Sequence, residues 1–570
     1  MKFIYTYILL LISLSALAQD KKVEFFGAGR FSLNNSNLTG KLIESDTTTA
    51  RKQLNGATLF DLGFHIRPNS ETEIKAITRV QNDLNGFWGA GINFYLRELY
   101  LRGLLLNRIS YQVGDLNTRM TPYTLFNQQV EMAQGNPMAL ETFREIIQYD
   151  RFYGENSWRQ QGAQAEMTLD LQPIKHTLQI KGLIAKNRQT DFFSKPDRLF
   201  AGASLELKNN YRFKLNYDGV RVFDIPKSAM FSDLAFLNIV HHLGLSKELS
   251  LAKNNFLISA QAGLSQVEYQ NDPLAPKLED GAFNEFSLAW KSPNKSWSAQ
   301  VEWRSVETGF RSMGAQSRSL NTNALTSQYA YITNRESQRA LTFAEVLTDG
   351  AVYQSFLNPE LQRFHPAFEN INPYGKATPN RQGVNLKAAW ESKVKDNASV
   401  SAGLASMREI TGQGTTNLRS FLEQTLQANV KLSSYVGMKR KWNISLWARQ
   451  QQTKRDGQEG IDAIKLTSTQ LKFGTELELL PKLDIQLAWL NLTSEGNEFL
   501  AERNSYNQVV FFQKQDCNLK QSFLIGGLNY QFSEQASLKI QYQQIANQQD
   551  IQPNNAYQIN RLAILYNLFF

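Results

Sequence analysis

The feature that most constrains the fold is an alternation of apolar and polar residues that recurs throughout the 570-residue chain. Side chains of a β-strand point alternately to opposite faces, so the pattern predicts strands with one apolar and one polar face. It is clearest in residues 58–66, 285–291, 297–304, 384–391 and 483–489. Other ribbons, such as residues 23–33 and 557–570, exceed ten residues, whereas strands of soluble β-sandwiches and propellers are about 5–6 residues long. The sequence therefore favours a transmembrane β-barrel over a soluble all-β fold.

Short polar segments interrupt the alternation, and we interpret ten of them as tight turns. They are residues 68–71, 103–107, 172–175, 208–210, 247–254, 292–295, 394–397, 434–439, 480–482 and 533–535. Much longer polar segments lie between them, notably residues 117–160 and 309–380. Short turns that alternate with long loops are typical of outer-membrane barrels, with the turns in the periplasm and the loops outside the cell.

Ten turns join twenty strands, and the ribbons at residues 23–33 and 557–570 have no turn partner. We expect these two ribbons to pair with each other, since closure removes the exposed edges of a sheet. The predicted fold is all-β: a single large transmembrane antiparallel β-barrel of about 22 strands, within a range of about 18–22.

The N-terminus has the pattern of a secretory signal peptide. Lys2 precedes an apolar stretch at residues 8–14, and the small residues Ala16 and Ala18 flank Leu17 at a cleavage site. We predict residues 1–18 to be a cleaved signal peptide and residues 19–570 to be the barrel. The single cysteine, Cys517, excludes an intramolecular disulfide. The net charge of +9 suits anionic lipid or solutes, and export makes nucleic acid an unsuitable partner.

The chain ends in RLAILYNLFF, residues 561–570, whose alternate positions are apolar and whose last residue is aromatic. This strand resembles the assembly signal of bacterial outer-membrane proteins. Its matching positions are Leu562, Ile564, Tyr566, Leu568 and Phe570. The resemblance implies an outer-membrane location, contact with outer-membrane lipid, and recognition by the barrel-assembly machinery. Asn- and Gln-rich strands with long loops look similar to Bacteroidota outer-membrane barrels, and the architecture is porin-like.

No pattern in the sequence indicates catalysis, a metal site or a cofactor. His241 and His242 are neighbours on a predicted strand and would face opposite ways. His365 lies near Glu360 and Glu369 in a long loop, where we interpret it as an ordinary loop residue rather than a catalytic base. The first ribbon begins at Val23, so we expect no plug domain of the kind found in TonB-dependent transporters. We predict that the protein is not an enzyme.

The two long loops contain Gly, Pro, aromatic residues and Arg, a composition that can fold into ordered structure. One hypothesis is that they fold inward and narrow the lumen; the other is that they form an extracellular cap that contacts neighbouring molecules. Inward folding would make the basic residues candidates for the pore constriction, with a mild preference for anions: Arg119, Arg311, Arg318, Lys376 and Arg381.

The sequence thus favours a porin-like channel for passive diffusion of small hydrophilic, mildly anion-selected solutes through a polar lumen. The alternative is a non-conducting barrel that acts as a scaffold or partner in a surface, assembly or secretion complex. Ionic current through the purified protein would distinguish the two.

Overall fold

The structure is a computed structural model. It describes residues 22–41, 52–84, 92–127, 135, 137–142, 145, 149, 157–172, 175–231, 235–316, 357, 361, 364–392, 397–549 and 556–570. The predicted signal peptide and Arg318 lie outside this part of the chain. None of the described helices is long and apolar enough to span a membrane.

Twenty-two strands form one antiparallel sheet, in which each strand pairs with its neighbours in sequence. The strands are β1 Val23–Thr39, β2 Lys52–Asn69, β3 Thr72–Asp83, β4 Ile92–Leu105, β5 Ile109–Thr118, β6 Trp158–Leu171, β7 His176–Arg188, β8 Arg198–Asn209, β9 Phe213–Asp224, β10 Ala235–Leu251, β11 Asn254–Gln270, β12 Gly281–Lys291, β13 Trp297–Val306, β14 Arg381–Glu391, β15 Ala398–Arg408, β16 Ser420–Lys431, β17 Trp442–Arg455, β18 Ile464–Leu480, β19 Leu483–Arg503, β20 Val509–Ser533, β21 Ala536–Gln549 and β22 Tyr557–Phe569.

The sheet closes through pairing of β1 with β22, from Ala28 opposite Phe569 to Thr39 opposite Gln558. The predicted closed barrel and its strand number are therefore confirmed. Nine of the ten predicted turns join consecutive strands at one end of the barrel, and both termini of the sheet lie at this turn end. The tenth, at residues 394–397, falls between β14 and β15, and its residues 394–396 lie outside the described part of the chain. The longer connections lie at the other end, the loop end. An even-stranded, antiparallel barrel of this form has a porin-like outer-membrane architecture.

The alternation in sequence separates the outside of the barrel from its lumen. In β22, Leu562 is 42% exposed, whereas Arg561 is 1% exposed and donates a hydrogen bond from its Nε to Ser36 Oγ at 3.0 Å. The same division holds around the sheet: outward positions carry exposed Leu, Ile, Val, Phe and Trp, and inward positions carry most of the buried Arg, Glu, Asp, Gln and Asn. The predicted apolar face of the last strand thus lies on the outside.

At the seam between β1 and β22, Gly27 and Phe570 exchange backbone hydrogen bonds of 2.8 and 3.1 Å. A Cβ atom on Gly27 would lie 2.2 Å from the carbonyl oxygen of Asp61 and 2.6 Å from the Phe570 ring. The Phe570 ring also stacks on Phe60 of β2, with centroids 5.8 Å apart. The close approach of the neighbouring backbone therefore requires a residue without a side chain at position 27.

The hairpin of β19 and β20 extends beyond its neighbours at the loop end. Pairing of β18 with β19 ends at Asn497, but β19 continues along β20 to Arg503. At the tip, Tyr506 donates a hydrogen bond to Asp272, and its ring lies 5.1 Å from that of Tyr269. Because β11 and β19 are eight strands apart in the sheet, this contact requires the hairpin tip to reach across the mouth of the barrel.

Candidate pore constriction

The loop between β5 and β6, the first long loop, enters the lumen directly after β5. Tyr123 and Leu125 are fully buried, and the Tyr123 ring stacks on Phe283 of β12 with centroids 3.7 Å apart. The amide of Phe126 donates to the carbonyl of Gly314 at 2.8 Å. Gly314 belongs to the loop between β13 and β14, the second long loop, so the two long loops pack against each other inside the barrel.

Farther along, the first long loop reaches the opposite wall. A helical turn, Met138–Leu140, contacts β18, β19 and β20. The carbonyl of Ala139 accepts hydrogen bonds from Gln541 Nε2 at 2.8 Å and Lys539 Nζ at 3.4 Å, both on β21. Pro137 packs so closely on Gly474 of β18 that a Cβ there would lie 2.6 Å from the Pro137 Cβ. This loop therefore crosses the lumen, as the inward hypothesis predicts.

The second long loop crosses the lumen through residues 364–380, the second inward segment. Phe368 packs with Leu492 of β19 and Leu519 of β20 in a buried cluster. Next to it, Asn370 donates from Nδ2 to Thr453 Oγ1 and to Glu498 Oε2, each at 2.7 Å. These contacts lie four to seven strands away from β13, where the loop begins.

Two ion-pair clusters hold the second inward segment. The Glu369 carboxylate accepts hydrogen bonds from Arg449 and, at 3.1 Å, from Gln451 Nε2, both on β17. Burial alone would raise the pKa of Glu369, but the Arg449 guanidinium, the Asn372 amide and Gln451 together lower it below its ordinary value. The carboxylate is therefore ionised at neutral pH and fixes the segment to β17.

The second cluster joins both long loops at one carboxylate. Lys376 Nζ lies 2.9 Å from Glu285 Oε1 and 2.6 Å from Glu302 Oε2. Tyr123 of the first long loop donates its hydroxyl hydrogen to Glu285 Oε2 at 2.7 Å. Asn385 of β14 supplies a further hydrogen bond to Glu302, at 3.1 Å. Glu285 of β12 thus binds a residue from each long loop and links the two.

The structure places the predicted constriction residues in different surroundings. Lys376 is neutralised by the two glutamates. Arg381 donates to the carbonyls of Ile371 and Asn380 at 3.0 Å, and its guanidinium lies 3.9 Å from the centroid of the Phe421 ring. Arg311 donates to the carbonyls of Thr308 and Phe310 at 2.7 and 2.9 Å. Arg119 is exposed beyond the end of β5. Lys376 of the second inward segment and Arg381, the first residue of β14, thus both fasten this segment to the wall.

Sequence reasoning did not identify the acidic partners: Glu285, Glu302, Glu369 and Glu423. Glu285 and Glu302 occupy the polar register of predicted strands, which gave a usable signal that they face the lumen. Their ion pairs with Lys376 depend on the path of a loop of more than seventy residues, and the sequence of this loop contains no periodic pattern.

A cavity of about 250 Å³ remains between the two long loops and the wall of the barrel. Its charged lining residues are Glu302, Arg304, Glu369, Lys376, Lys387, Glu423 and Arg449. Among them Lys387 is exposed, on the inward register of β14, and it has no hydrogen-bond or ionic partner among the described residues. A larger cavity of about 900 Å³ lies on the turn side, lined by Met138 of the first long loop and by inward residues of β15–β18. Charged side chains take part in the lining of both cavities.

Histidines in the described part of the chain have structural contacts. His365 accepts a hydrogen bond at Nδ1 from the Ala367 amide at 3.2 Å, and its ring packs edge-on against Phe368. His242 lies inside the barrel between Asp218 and Gln261, whereas His241 lies outside beside Tyr217. Within the described residues, no group of three or more His, Cys, Asp or Glu side chains is arranged to hold a metal ion.

No protein-family model matches the sequence, and comparison with curated proteins finds no match. Among solved structures, similar chains include OccK11 (OpdR) of Pseudomonas aeruginosa, with 11% identity and a TM-score of 0.40 over 96% of this chain and 97% of that one. OccK5 (OpdH) of the same organism has 10% identity and a TM-score of 0.35 over 96% and 98%. A BenF-like porin from Pseudomonas fluorescens Pf-5 has 10% identity and a TM-score of 0.33 over 96% and 99%. With TM-scores below 0.5, the fold assignment rests on the strand pairing of this chain.

Proposed function

We propose that the protein is an outer-membrane channel through which small hydrophilic solutes diffuse passively. The observation that carries the proposal is the path of the two long loops, which cross the lumen, are fastened to its wall by hydrogen bonds and ion pairs, and leave cavities with charged lining residues beside them. Loops in this position set the size limit of a pore, and the charges beside the remaining space set its selectivity.

The outward surface supports the membrane location. Exposed Leu, Ile, Val, Phe and Trp side chains occupy the outward register of most strands, and strands of 10 to 25 residues are long enough to cross a bilayer. A surface of this kind is stable in lipid, because the closed sheet leaves no unpaired strand edge. The proposed orientation puts the turn end in the periplasm and the loop end outside the cell.

The mild anion preference depends on Lys387 in this proposal. Lys376 and Arg449 are each paired with two glutamates, so they contribute little net positive potential to the cavity. The Lys387 ammonium is exposed beside the same cavity, and a solute anion can approach it without displacing a carboxylate. The predicted selectivity thus has a different source from the arginines of the loops.

One observation favours the non-conducting alternative. Tyr123, Leu125, Phe283 and Phe310 form a fully or almost fully buried apolar cluster with Trp158 and Val306, and this cluster fills one side of the lumen. A barrel filled in this way throughout would serve as a scaffold.

Conductance of the full-length protein in planar bilayers tests the proposal, beside a variant in which a short Gly-Ser linker replaces residues 317–378. We expect steady current from the intact protein and a larger current from the variant. Absence of current from the intact protein in repeated insertions, with current from the variant, would overturn the channel and favour the scaffold.

A Lys387→Glu variant should shift the reversal potential in a salt gradient toward cation preference, and an unchanged potential would remove Lys387 from the selectivity.

A further inference from the structure

Four large apolar side chains are exposed in the loops above β7–β10, beyond the ends of the strands. Phe192 and Phe193 lie between β7 and β8 and are 67% and 63% exposed. Met230 and Phe231 lie between β9 and β10 and are 76% and 77% exposed. We call these four residues the rim platform. Exposing so much apolar surface in one place is unfavourable in water, and it is typical of an interaction site.

Backbone hydrogen bonds hold the two loops of the rim platform together. The amides of Met230 and Phe231 donate to the carbonyls of Phe192 and Phe193 at 2.9 and 2.8 Å. Below them, the Ser228 hydroxyl accepts from the Asp197 amide at 2.8 Å. The four side chains are therefore carried on a fixed backbone, and binding there costs little ordering entropy.

Cationic side chains surround the rim platform. Lys195 and Lys227 lie in the same two loops, and Arg221 lies on the outward register of β9 beside Phe223. All three are exposed, and the described residues offer none of them a carboxylate within ion-pair distance.

The acids nearby are already engaged. The Asp191 carboxylate accepts hydrogen bonds from the amides of Phe193, Ser194 and Lys195 at 2.8–2.9 Å, which lowers its pKa to about 2. Asp197 forms an ion pair with Lys186 at 2.9 Å, and Asp224 forms one with Arg198 on the inside of the barrel. The outer surface here therefore combines apolar side chains with unpaired positive charge.

The rim platform is continuous with the outward apolar surface. Ile184 on β7, Ile225 directly after β9 and Leu243 on β10 are exposed on the outside of the same four strands. Lys186 lies nearer the loop end than Ile184 on β7, and Arg221, opposite Ile239, lies nearer the loop end than Leu243. Ile225 lies at the end of β9, directly below the platform. Apolar side chains thus lie on both sides of these cations, on the strands and in the loops.

We propose that the rim platform and its three cations, Lys195, Arg221 and Lys227, bind a phosphate-bearing lipid of the outer leaflet. The ammonium and guanidinium groups would pair with phosphate oxygens, and the four apolar side chains would contact the non-phosphate part of the same lipid. This inference rests on the proposed membrane location. A lipid fits better than a protein partner because the site adjoins the lipid-facing surface and its charge complements a phosphate headgroup.

Retention of lipid A by the purified full-length barrel in detergent, read by native mass spectrometry, tests the recognition of phosphate. The triple variant Lys195→Gln, Arg221→Gln, Lys227→Gln should bind lipid A at least tenfold more weakly, because three cations that attract an anionic headgroup are removed. The matched control is Lys253→Gln, Lys295→Gln, Lys439→Gln, which removes the same charge from the turn end. Equal losses in both variants would mean non-specific attraction and would overturn the inference.

A label at the platform tests insertion separately. Two variants in a Cys517→Ser background, Met230→Cys and Leu243→Cys, each carry an environment-sensitive fluorophore. Residue 230 belongs to the platform, and residue 243 lies on the outward face of β10. Both labelled proteins are inserted into vesicles with brominated phospholipids, and the quenching of fluorescence is measured. Quenching at both positions is the expected result. Quenching at residue 243 alone would overturn the inference and favour a protein partner at the rim, while leaving the membrane location intact. Quenching at neither would overturn the location itself.

Discussion

The Lys376 ammonium of the second inward segment lies 2.6 Å from the Glu302 carboxylate of β13 and shares its charge with Glu285 of β12. Lys376→Met would remove the ammonium that lies between the two carboxylates and would leave Glu302 with the more distant Arg304 guanidinium, at 3.8 Å. We expect the free energy of unfolding to fall by about 2 kcal/mol. This is the lower end of the range for truncating one partner of a buried charge pair, because Lys376 is about one-third exposed. Single-channel recordings should show a noisier and larger current, since the segment is released at one end.

Lys387→Met is the control for that change. It removes a positive charge from the same cavity, but Lys387 has no partner among the described residues, so the melting temperature should remain unchanged. If Lys376→Met and Lys387→Met had the same melting temperature, the ion pair of Lys376 would contribute nothing to the inward position of the loop.

Acid should release the other anchor of the same segment. The pKa of Glu369 is lowered in the folded protein, so its stabilising contribution is complete above the ordinary carboxyl range and disappears as the pH falls through the lowered value. Arg449 stays charged throughout. The stability difference between the parent protein and Glu369→Gln should therefore be largest near pH 7 and shrink below about pH 4. Thermal melts of both proteins across this range measure it, and a constant difference would contradict the assignment.

At the seam, Gly27→Ala should impair barrel closure, because the new Cβ would lie 2.2 Å from the Asp61 carbonyl and backbone atoms cannot move aside cheaply. Gly29→Ala is matched to it on the same strand, where a Cβ would meet only Leu568, at 3.9 Å. Folded barrels migrate faster than unfolded chains on gels run without heating. We expect the folded band to diminish for the first variant and to remain for the second. Equal folding of both would show that the seam relaxes around residue 27.

The hairpin tip offers a fourth test. Tyr506→Ala removes the hydrogen bond to Asp272 and the ring contact with Tyr269, so the tip loses its support across the mouth. Limited proteolysis should cut residues 504–508 faster than in the parent protein. Leu274→Ala, in the same loop as Asp272, changes a highly exposed side chain and should leave the rate unchanged. If Tyr506→Ala did not alter the rate, other contacts would hold the hairpin.

The sequence predicts the barrel well because the apolar and polar faces of each strand can be assigned from its own residues. The alternation at residues 58–66 needs only local information, and the turn at residues 480–482 is visible without knowledge of its neighbours. Pairing of the first and last ribbons then follows by elimination. Inward folding of the long loops was one of two hypotheses, and the burial of Tyr123 and Glu369 supports it in the described parts of both loops.

The constriction itself could not be predicted in the same way. Composition singled out basic residues, but an ion pair is a relation between positions far apart in sequence, such as Glu285 and Lys376. The roles of Arg381 and Arg311 also depend on backbone carbonyls that only a folded loop presents. The selectivity assigned to the five basic residues stays a prediction, as does the assembly signal at Leu562, Ile564, Tyr566, Leu568 and Phe570 and the Bacteroidota-like origin.

The seam between β1 and β22 also constrains the order of folding. Ala28 and Phe569 are paired although 541 residues separate them, whereas the other neighbouring strands are joined through a single turn or loop. Forming such a contact early would cost the most chain entropy for the least gain. The twenty-one local hairpins can therefore form progressively, whereas the backbone groups on one edge of the first strand stay unpaired until the last strand forms. Any factor that shields this edge during the interval would decide how much of the chain matures rather than aggregates.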